Sequence, residues 1–409
     1  MSDNYEIEND LEQTELDDEL DEDEISPKTR RIKSGIRFAR AVILLVMALT
    51  AGFLLISNRD KINMDNFKRL AAKIDLGVYS ATATDNAVID YDYDPSAKIK
   101  AYKDGIARVC RQNLVITDNI GTQFQSLLTG FNNPQIVTTA KYVCVFDRGS
   151  NRLIVADSFS VVFDTVFEHN IVNVSLNDAG YLAVVTESEA YKNHVIVFNS
   201  SFKEVYKINS MTRYILTADI SPDSKRVVVS SVYSKDQDVI PQINCYSLSK
   251  SESLWDVNFD DSVAVDVVVK SDGTTVALFE WGVCVLDKNG KQKYTYQFQN
   301  DILQAYSITD GKYNVVVTSA SQSSNSKVTV FDNSGRQISA TEVDFAVLSV
   351  DCRSDRIALL GAQNIYLYNV NGKPLSGRPN PNDATYVLLS NKNLIVSVSA
   401  SSAVYNLMN

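Results

Sequence analysis

Residues that could perform catalysis are few in this chain, and they form no recognised motif. It has two histidines, His169 and His194, which argues against a histidine-based metal centre or catalytic triad. The sequence contains no nucleophile-elbow G-x-S-x-G, no zinc-protease H-E-x-x-H and no phosphate-binding G-x-x-x-x-G-K-S/T. We therefore predict no catalytic residue, no cofactor and no metal ligand, and we expect that the protein is not an enzyme.

Cysteine and aspartate offer two weaker signals. The five cysteines never occur as C-x-x-C and lie in apolar stretches, so we expect isolated buried thiols, with a Cys110–Cys144 bridge as the alternative. Asp90, Asp92 and Asp94 would share one face of a strand over residues 87–94 and could bind Ca²⁺ there. A solvated strand face gives the same pattern without a metal, and we favour that interpretation.

Aromatic residues in predicted loops indicate recognition. Four long loops are predicted at residues 188–193 with Tyr191, 231–242 with Tyr233 and Pro241, 280–282 with Trp281, and 319–327. An aromatic ring at a loop tip is unfavourable unless it packs or binds. We interpret Tyr191, Tyr233 and Trp281 as candidates for a protein- or glycan-binding face. The alternative is that Tyr233 and Trp281 pack between neighbouring sheets.

The segments that must position these residues are predicted to be β structure. From residue 87 onward, short runs rich in Val, Ile, Tyr and Thr alternate with turn signals, which predicts an all-β domain over residues 87–409. Four strands repeating at about 40–45 residues are typical of a β-propeller. The turn signals recur at spacings of 36 to 49 residues and are centred at Asp104, Ala140, Asp178, Asp223, Asp272, Asp310, Asp355 and Asn391.

Eight turns predict eight blades, with seven as the runner-up because the second turn signal is weak. The last unit holds three strands, and residues 87–93 can supply its fourth strand and close the ring. Two known classes of propeller enzyme are disfavoured. Quinoprotein dehydrogenases need tryptophans in most blades, whereas this chain has Trp255 and Trp281, and Ser271-Asp272-Gly273 lacks the spacing of a sialidase box.

Residues 41–58 contain no formal charge and are apolar on all sides, which predicts a transmembrane helix. Six basic residues precede this span within residues 28–40 and five follow it within residues 59–73, so we expect a cytoplasmic N-terminus and a propeller outside the cell. We expect the protein to be a single-pass protein of the cell membrane, with membrane lipid contacting the helix.

The flanking segments have distinct compositions. Residues 1–27 hold 13 acidic and no basic residues, which predicts a disordered acidic tail, either binding a cytoplasmic partner or merely solvated. Residues 28–40 form a basic juxtamembrane segment, and residues 59–86 are predicted to form an amphipathic helix and a linker. The net charge is −11, of which −7 lies in the first 40 residues, so the main domain has no basic field for nucleic acid.

The sequence also resembles known propellers. The run SPDSKRVVV at residues 221–229 is similar to the turns of TolB-like and quinoprotein-like bacterial propellers. Residues 28–409 resemble a family of uncharacterised, single-pass, membrane-anchored propellers of Gram-positive bacteria. The segments that carry this resemblance are NFKRLAAKIDLG, NPQIVTTAKYVCVFDRG and DAGYLAVVTES. The resemblance implies architecture and location, and no activity.

These observations favour a non-catalytic binding or scaffolding module of the cell envelope with a protein or glycan partner. The alternative is a single-pass sensor that relays ligand binding to the cytoplasmic acidic tail. An enzyme of unknown substrate is the third possibility.

Overall fold

The structure is a computed structural model. It describes residues 40, 42–47, 49–50, 68–69, 87–236, 238–260, 262–321, 325–380, 384–398 and 400–407. The chain divides into two units, residues 1–62 and 63–409. In the first unit, the described residues 40, 42–47, 49 and 50 are helical and exposed.

Most of the segments that we predict before the propeller lie outside the described residues. The acidic tail 1–27 and all of the basic segment 28–40 except Arg40 lie outside the described residues, as do more than half of the predicted span 41–58 and nearly all of 59–86. No helix within the described part of the chain has the length and apolar character needed to cross a membrane. The transmembrane helix therefore stays a prediction.

The described residues of the second unit form 32 strands in eight four-stranded antiparallel sheets. The first strand is β1 (Ala87–Asp90). The next sixteen, four to each of blades 1 to 4, are β2 (Lys98–Tyr102), β3 (Gly105–Val109), β4 (Asn113–Thr117), β5 (Gln123–Leu128); β6 (Pro134–Thr138), β7 (Val143–Asp147), β8 (Arg152–Ala156), β9 (Val161–Val166); β10 (Ile171–Leu176), β11 (Leu182–Thr186), β12 (Asn193–Phe198), β13 (Glu204–Ser210); β14 (Arg213–Ile220), β15 (Arg226–Lys235), β16 (Asp238–Ser247) and β17 (Ser253–Asn258).

Blades 5 to 8 follow the same order. Their strands are β18 (Asp266–Val269), β19 (Thr275–Phe279), β20 (Gly282–Leu286), β21 (Gln292–Gln297); β22 (Ile302–Ser307), β23 (Tyr313–Ser319), β24 (Ser326–Asp332), β25 (Gln337–Val343); β26 (Ser349–Arg353), β27 (Arg356–Leu360), β28 (Asn364–Asn369), β29 (Pro374–Pro379); and β30 (Tyr386–Leu389), β31 (Asn393–Ser397) and β32 (Ser401–Asn406).

Eight blades arranged in this way confirm the predicted fold class, and the seven-blade alternative is wrong. All eight predicted turns join the first strand of a blade to the second. Residues with left-handed backbone occur in five of these turns, namely Lys103, Gly180, Ser224, Gly273 and Ser354. The repeat of turn signals in the sequence is thus the repeat of one hairpin per blade.

The predicted closure is also confirmed, with a shorter strand than expected. β1 pairs with β32, so the N-terminal strand completes the last blade. β1 ends at Asp90, and Asp92 and Asp94 follow it outside the strand. The Asp94 carboxylate accepts bonds from the backbone N–H groups of Ser96 and Arg111. The three aspartates therefore do not line one strand face, because the chain turns after Asp90 to begin blade 1.

Apolar side chains between the blades hold the ring together. Each of eight buried apolar clusters lies between two adjacent blades. The second strands β3 and β7 are wholly buried, whereas the outer strands β5, β9 and β17 alternate between exposed and half-buried residues. All five cysteines are buried and free, as predicted.

The first strand of each blade faces the axis of the ring. Neighbouring first strands contact one another, including β2 with β6, β10 with β14, and β30 with β2. Their polar side chains bond to the backbone of the next blade: the N–H of Val269 donates to Asp219 Oδ2 at 2.8 Å, and the N–H of Leu389 donates to Asp351 Oδ2 at 2.7 Å. These bonds line a central channel with hydrogen-bonded groups.

A candidate binding surface at the channel mouth

The two faces of the ring are built from different segments. Because the four strands of a blade alternate in direction, the turns between first and second strands and between third and fourth strands lie on one face, which we call the hairpin face. The turns between second and third strands and the links between blades lie on the other, which we call the connection face. This assignment places all four predicted loops on the connection face.

A group of exposed apolar side chains lies on the connection face. Five of them lie just before a first strand or within its first four residues in blades 4 to 7, with 40% to 54% of each residue exposed. We call this set the apolar arc: Tyr214, Leu216, Val265, Ile302 and Leu348. Within the described residues, no exposed large apolar side chain lies in a turn of the hairpin face. The apolar arc therefore marks one side of the channel mouth.

Tyr191 lies in the turn between β11 and β12, as the sequence predicts. Its ring centroid is 5.3 Å from that of His194, which in turn lies 6.2 Å from the His169 ring. The two histidines of the chain therefore meet beside this loop. Burial lowers the pKa of His194, whose Nδ1 is buried and has no partner among the described residues. Sequence reasoning set both histidines aside because two are too few for a metal centre, and no local signal brings them together.

The loop predicted at residues 231–242 is wrong. These residues extend β15 and β16 into a long hairpin, in which Tyr233 pairs with Ile240 and Val232 with Pro241. Tyr233 is half-buried and lies 6.0 Å from the Arg213 guanidinium. The hairpin nonetheless emerges on the connection face, and its second strand carries an exposed apolar residue, Val239.

Trp281 lies in the short turn between β19 and β20. It is half-buried, with its ring stacked on Phe279 at 4.8 Å, and it packs against the apolar cluster between blades 4 and 5. Its indole Nε1 is buried without a partner in the described part of the chain. Both the binding and the packing interpretations survive, because the residue packs on the core and still keeps part of its surface open. Of the loop at 319–327, residues 322–324 lie outside the described residues.

Asp219 and Asp266 are two of the carboxyl groups that lie in the channel below the apolar arc. Asp219 on β14 accepts from Ser175 Oγ at 2.6 Å and from the Val269 N–H at 2.8 Å, so both of its oxygens are occupied. Asp266 begins β18 and lies near the Tyr306 hydroxyl. Burial within the channel wall raises the pKa of Asp219 to about 6, and burial together with Asp219 raises the pKa of Asp266 to about 7. Solvent still reaches part of both residues.

A buried lysine lies at the other end of the same strand. Lys270 follows β18 and is 1% exposed. Its Nζ donates to the backbone oxygen of Thr309 and to Asn314 Oδ1, both in blade 6. Burial lowers the pKa of Lys270 to about 8, against the opposing effect of nearby carboxylates such as Asp310. Lys270 thus ties two blades together at the hairpin face.

The hairpin face also holds part of the segment that precedes the propeller. Arg69, in helical conformation, is 5% exposed and pairs with Asp104 at 2.8 Å. Its guanidinium also donates to the Thr117 backbone oxygen and to Ser158 Oγ, and it lies 4.3 Å from the Phe124 ring centroid. This residue therefore contacts the hairpin face of blades 1 and 2.

The geometry defines an eight-bladed β-propeller with a polar channel and an asymmetric pair of faces. The chain belongs to DUF5711, a family of unknown function, whose model matches residues 78–399. No curated protein matches the chain. The family match and the fold confirm a β-propeller that belongs to a family of unknown function.

Solved propellers share the fold at low identity. BamB from Moraxella catarrhalis is 11% identical with a TM-score of 0.51, covering 78% of this chain and 98% of that one. The C-terminal WD40 domain of Sif2 is 11% identical with a TM-score of 0.58, covering 78% and 97%. Saccharomyces cerevisiae Sqt1 is 9% identical with a TM-score of 0.54, covering 80% and 100%. At such identity the likeness shows the fold alone.

Proposed function

We propose that this protein is a non-catalytic binding module of the cell envelope. Residues 41–58 hold it in the cell membrane as a single span, the N-terminus is cytoplasmic, and the propeller lies outside. The uncharged run of 18 residues with basic flanks supports the anchor and its orientation. The likeness to BamB and to WD40 propellers is consistent with a protein-binding scaffold.

The observation that carries the binding role is the apolar arc. Exposed apolar side chains grouped on one face of a domain mark an interaction surface more often than scattered ones do. Tyr191, Tyr233 and Trp281 lie on the same face and widen the candidate surface toward the rim. We therefore propose that a protein partner covers the connection face of blades 4 to 7.

Crosslinking in intact cells tests this proposal. A photo-crosslinking residue is placed at Leu216 or Leu348 in the apolar arc, and at Lys312, an exposed residue of a hairpin-face turn, as the control. We expect one discrete crosslinked protein from both arc positions and not from position 312, and its loss when Val265 is replaced by Asp. Crosslinks from position 312 alone, or a product indifferent to Val265→Asp, would contradict the proposal. A glycan partner would instead give no protein product and binding to purified envelope polysaccharide.

The topology has its own test. Single cysteines are introduced at Ser2 and at the exposed Lys373 and treated with a reagent that does not cross membranes; the native cysteines are buried. We expect labelling of intact cells at position 373 and labelling at position 2 only after lysis. The reverse pattern would overturn the orientation, and labelling at both positions in intact cells would overturn the single span.

A sensor is the second candidate, and Arg69 favours it. Its buried contact couples a residue of the segment before the propeller to blades 1 and 2. A sensor must also use the acidic tail, so deletion of residues 1–27 separates the two functions. A scaffold keeps its partner and its cellular effect, whereas a sensor keeps the partner and loses the effect.

The channel gives little support to an enzyme. Acid–base catalysis by a carboxyl group requires that it be free to exchange protons with a substrate. Asp219 has both oxygens hydrogen-bonded, and so does Asp351, which accepts from Ser307 Oγ and from the Leu389 N–H. Of the three carboxyl groups Asp219, Asp266 and Asp351, Asp266 therefore accepts the fewest hydrogen bonds.

A further inference from the structure

Asp266 differs from the other channel carboxylates in its surroundings. It follows Val265 of the apolar arc directly and is the first residue of β18, so it lies at the end of that strand nearer the channel mouth. It forms no ion pair within the described part of the chain, and the side chain that lies near it on β22 is the neutral Tyr306. An unpaired, half-buried carboxylate is unfavourable unless a cation or additional hydrogen-bond donors compensate its charge.

The cations of the protein that act on Asp266 do not contact it. Lys270 is at the far end of the same strand, and its ammonium group is bound to Thr309 and Asn314 at the hairpin face. Lys100 is exposed on β2 of blade 1, across the ring from blade 5, and it favours ionisation of Asp266 only from a distance. The other charged neighbour is Asp219, whose negative charge disfavours ionisation. No charged group of the described residues therefore compensates Asp266 by direct contact.

The rim above Asp266 is apolar on its own blade and on both adjacent ones. Leu216 in blade 4, Val265 in blade 5 and Ile302 in blade 6 are each 40% to 50% exposed. A ligand for this place needs an apolar body that covers the rim and a positive charge that reaches the carboxylate. Lysine and arginine side chains have this form, because an aliphatic stem carries their charged head.

We propose that Asp266 receives a basic side chain, lysine or arginine, presented by an apolar segment of the protein partner. The inference rests on the proposed function, since it specifies what the partner brings to the apolar arc. The stem packs against Leu216 and Ile302, and the cationic head pairs with Asp266 beside the neutral Tyr306 hydroxyl. Charge complementarity between a recessed acid and a basic residue would then set specificity more than the apolar contacts do.

The ionisation of Asp266 agrees with this geometry. Burial and Asp219 raise the pKa of Asp266 to about 7 in the absence of a partner. A cation at hydrogen-bond distance favours the ionised form and would lower that pKa again. Binding of the basic side chain should therefore be tighter at pH 8 than at pH 5.5, where the carboxyl group is mostly protonated before binding.

A peptide probe tests the inference on the full chain in lipid nanodiscs. The probe is N-acetyl-Leu-Arg-Leu-amide, compared with the same peptide carrying lysine and with one carrying citrulline, the neutral isostere of arginine. Binding is measured by equilibrium dialysis at pH 8 and at pH 5.5. We expect the two cationic peptides to bind at pH 8 about tenfold more tightly than the citrulline peptide, and the difference to shrink at pH 5.5.

Three variants locate the interaction. Asp266→Asn should abolish the preference for the cationic peptides. Tyr306→Phe should weaken it without abolishing it. Asp260→Asn removes an exposed carboxylate from the link between blades 4 and 5 on the same face and should change nothing. Equal binding of the arginine and citrulline peptides, or a preference that persists in Asp266→Asn, would overturn the inference.

The crosslinking experiment separates this inference from the proposed function. If the crosslinks at Leu216 and Leu348 persist while the peptides show no charge preference, the partner surface stands and the basic residue does not. If the peptides show the preference while the arc gives no crosslinked protein in cells, the cation site stands and the partner surface fails.

Discussion

The two faces of the ring are built from the same four-stranded repeat, but they differ in how their charged and apolar side chains are arranged. On the hairpin face, turns are closed by their own side chains; Ser221 Oγ, for example, accepts from the Arg226 N–H at 3.0 Å. Arg69 and Lys270 are buried there with their charged groups bound. On the connection face, the apolar arc is exposed and Asp266 has no ion-pair partner within the described residues. The hairpin face thus fixes the blades, and the connection face is free to bind.

Two charged residues on one strand illustrate the contrast. Asp266 begins β18 and Lys270 directly follows its last residue, so they lie at opposite ends of the strand. Burial disfavours the charge of the lysine as well and lowers its pKa, but its ammonium group has hydrogen-bond acceptors in blade 6. The aspartate opposes stability because its charge lies in the channel wall without a counter-ion. A residue that lowers stability and has a strongly shifted pKa is a candidate for function.

Removal of the lysine ammonium group should have the largest effect. In Lys270→Met the side chain keeps its length, but the Thr309 oxygen and Asn314 lose their donor in a buried place. We expect the free energy of unfolding to fall by about 3 kcal/mol, since each buried group left unsatisfied costs about 1–3 kcal/mol. Urea denaturation measures this. Lys373→Met, at an exposed hairpin-face lysine, is the control and should stay within about 0.5 kcal/mol. An equal change in both variants would mean that Lys270 does not tie the blades.

Replacement of Arg69 should have the second largest effect on stability. Arg69→Met keeps an apolar stem against Phe124 and leaves Asp104 without this partner. Because the Asp104 side chain is 41% exposed and can be hydrated, we expect a loss of about 1–2 kcal/mol and not the larger cost of a fully buried pair. Thermal unfolding of Arg69→Met beside Lys68→Met, its exposed neighbour, measures the difference. Identical melting of the two variants would show that the Arg69 contact contributes nothing to stability.

Asp266→Asn should act in the opposite direction and depend on pH. The folded pKa of Asp266, about 7, exceeds the ordinary value of 3.8, so the folded state binds more protons than the unfolded state between these values. The penalty is absent at low pH, grows as the pH rises from about 4 to about 7, and is complete above that. We expect Asp266→Asn to match the wild type near pH 4 and to be more stable at pH 8 by at least about 1 kcal/mol, the free energy that corresponds to a shift of one pKa unit. A variant less stable at every pH would show that the carboxylate is structural.

The apolar arc should matter least to stability. Leu348 is 54% exposed, so Leu348→Ser should change the free energy of unfolding by less than about 0.5 kcal/mol, measured by urea denaturation. Val315, buried in the cluster between blades 6 and 7, provides the contrast, and Val315→Ala should cost about 2 kcal/mol. If Leu348→Ser also loses about 2 kcal/mol, that position belongs to the core and not to a binding surface.

Much of the fold was readable because its signals are local. Turn-forming residues recur once per blade, and several of them, such as Gly180 and Gly273, have the positive φ that the turn requires. The closing strand was predictable because the last unit was one strand short. The loop at 231–242 was misread because Ser234 and Lys235 look polar, whereas pairing with β16 makes them strand.

The candidate site was less predictable because it depends on register. Asp219, Asp266 and Asp351 all stand between apolar residues in first strands, a pattern that places three carboxylates on one face of their strands. The sequence pattern does not show that Asp219 and Asp351 accept hydrogen bonds from backbone N–H groups of the next blade. Nor does it show that Asp266 lies nearer the mouth of the channel. The apolar arc was missed for a related reason: Val265 and Ile302 stand at the start of strands, and strand residues are usually expected to be buried.

The closure of the ring by β1 has a consequence for biosynthesis. β1 pairs with β32, more than 300 residues later in the chain, so blade 8 can form only after β32 has been synthesised. A ribosome that stalls before β32, or a protease that removes it, leaves β1 and the flank of blade 1 without neighbours. Such a product exposes apolar edges from which aggregation starts and which quality-control proteases recognise.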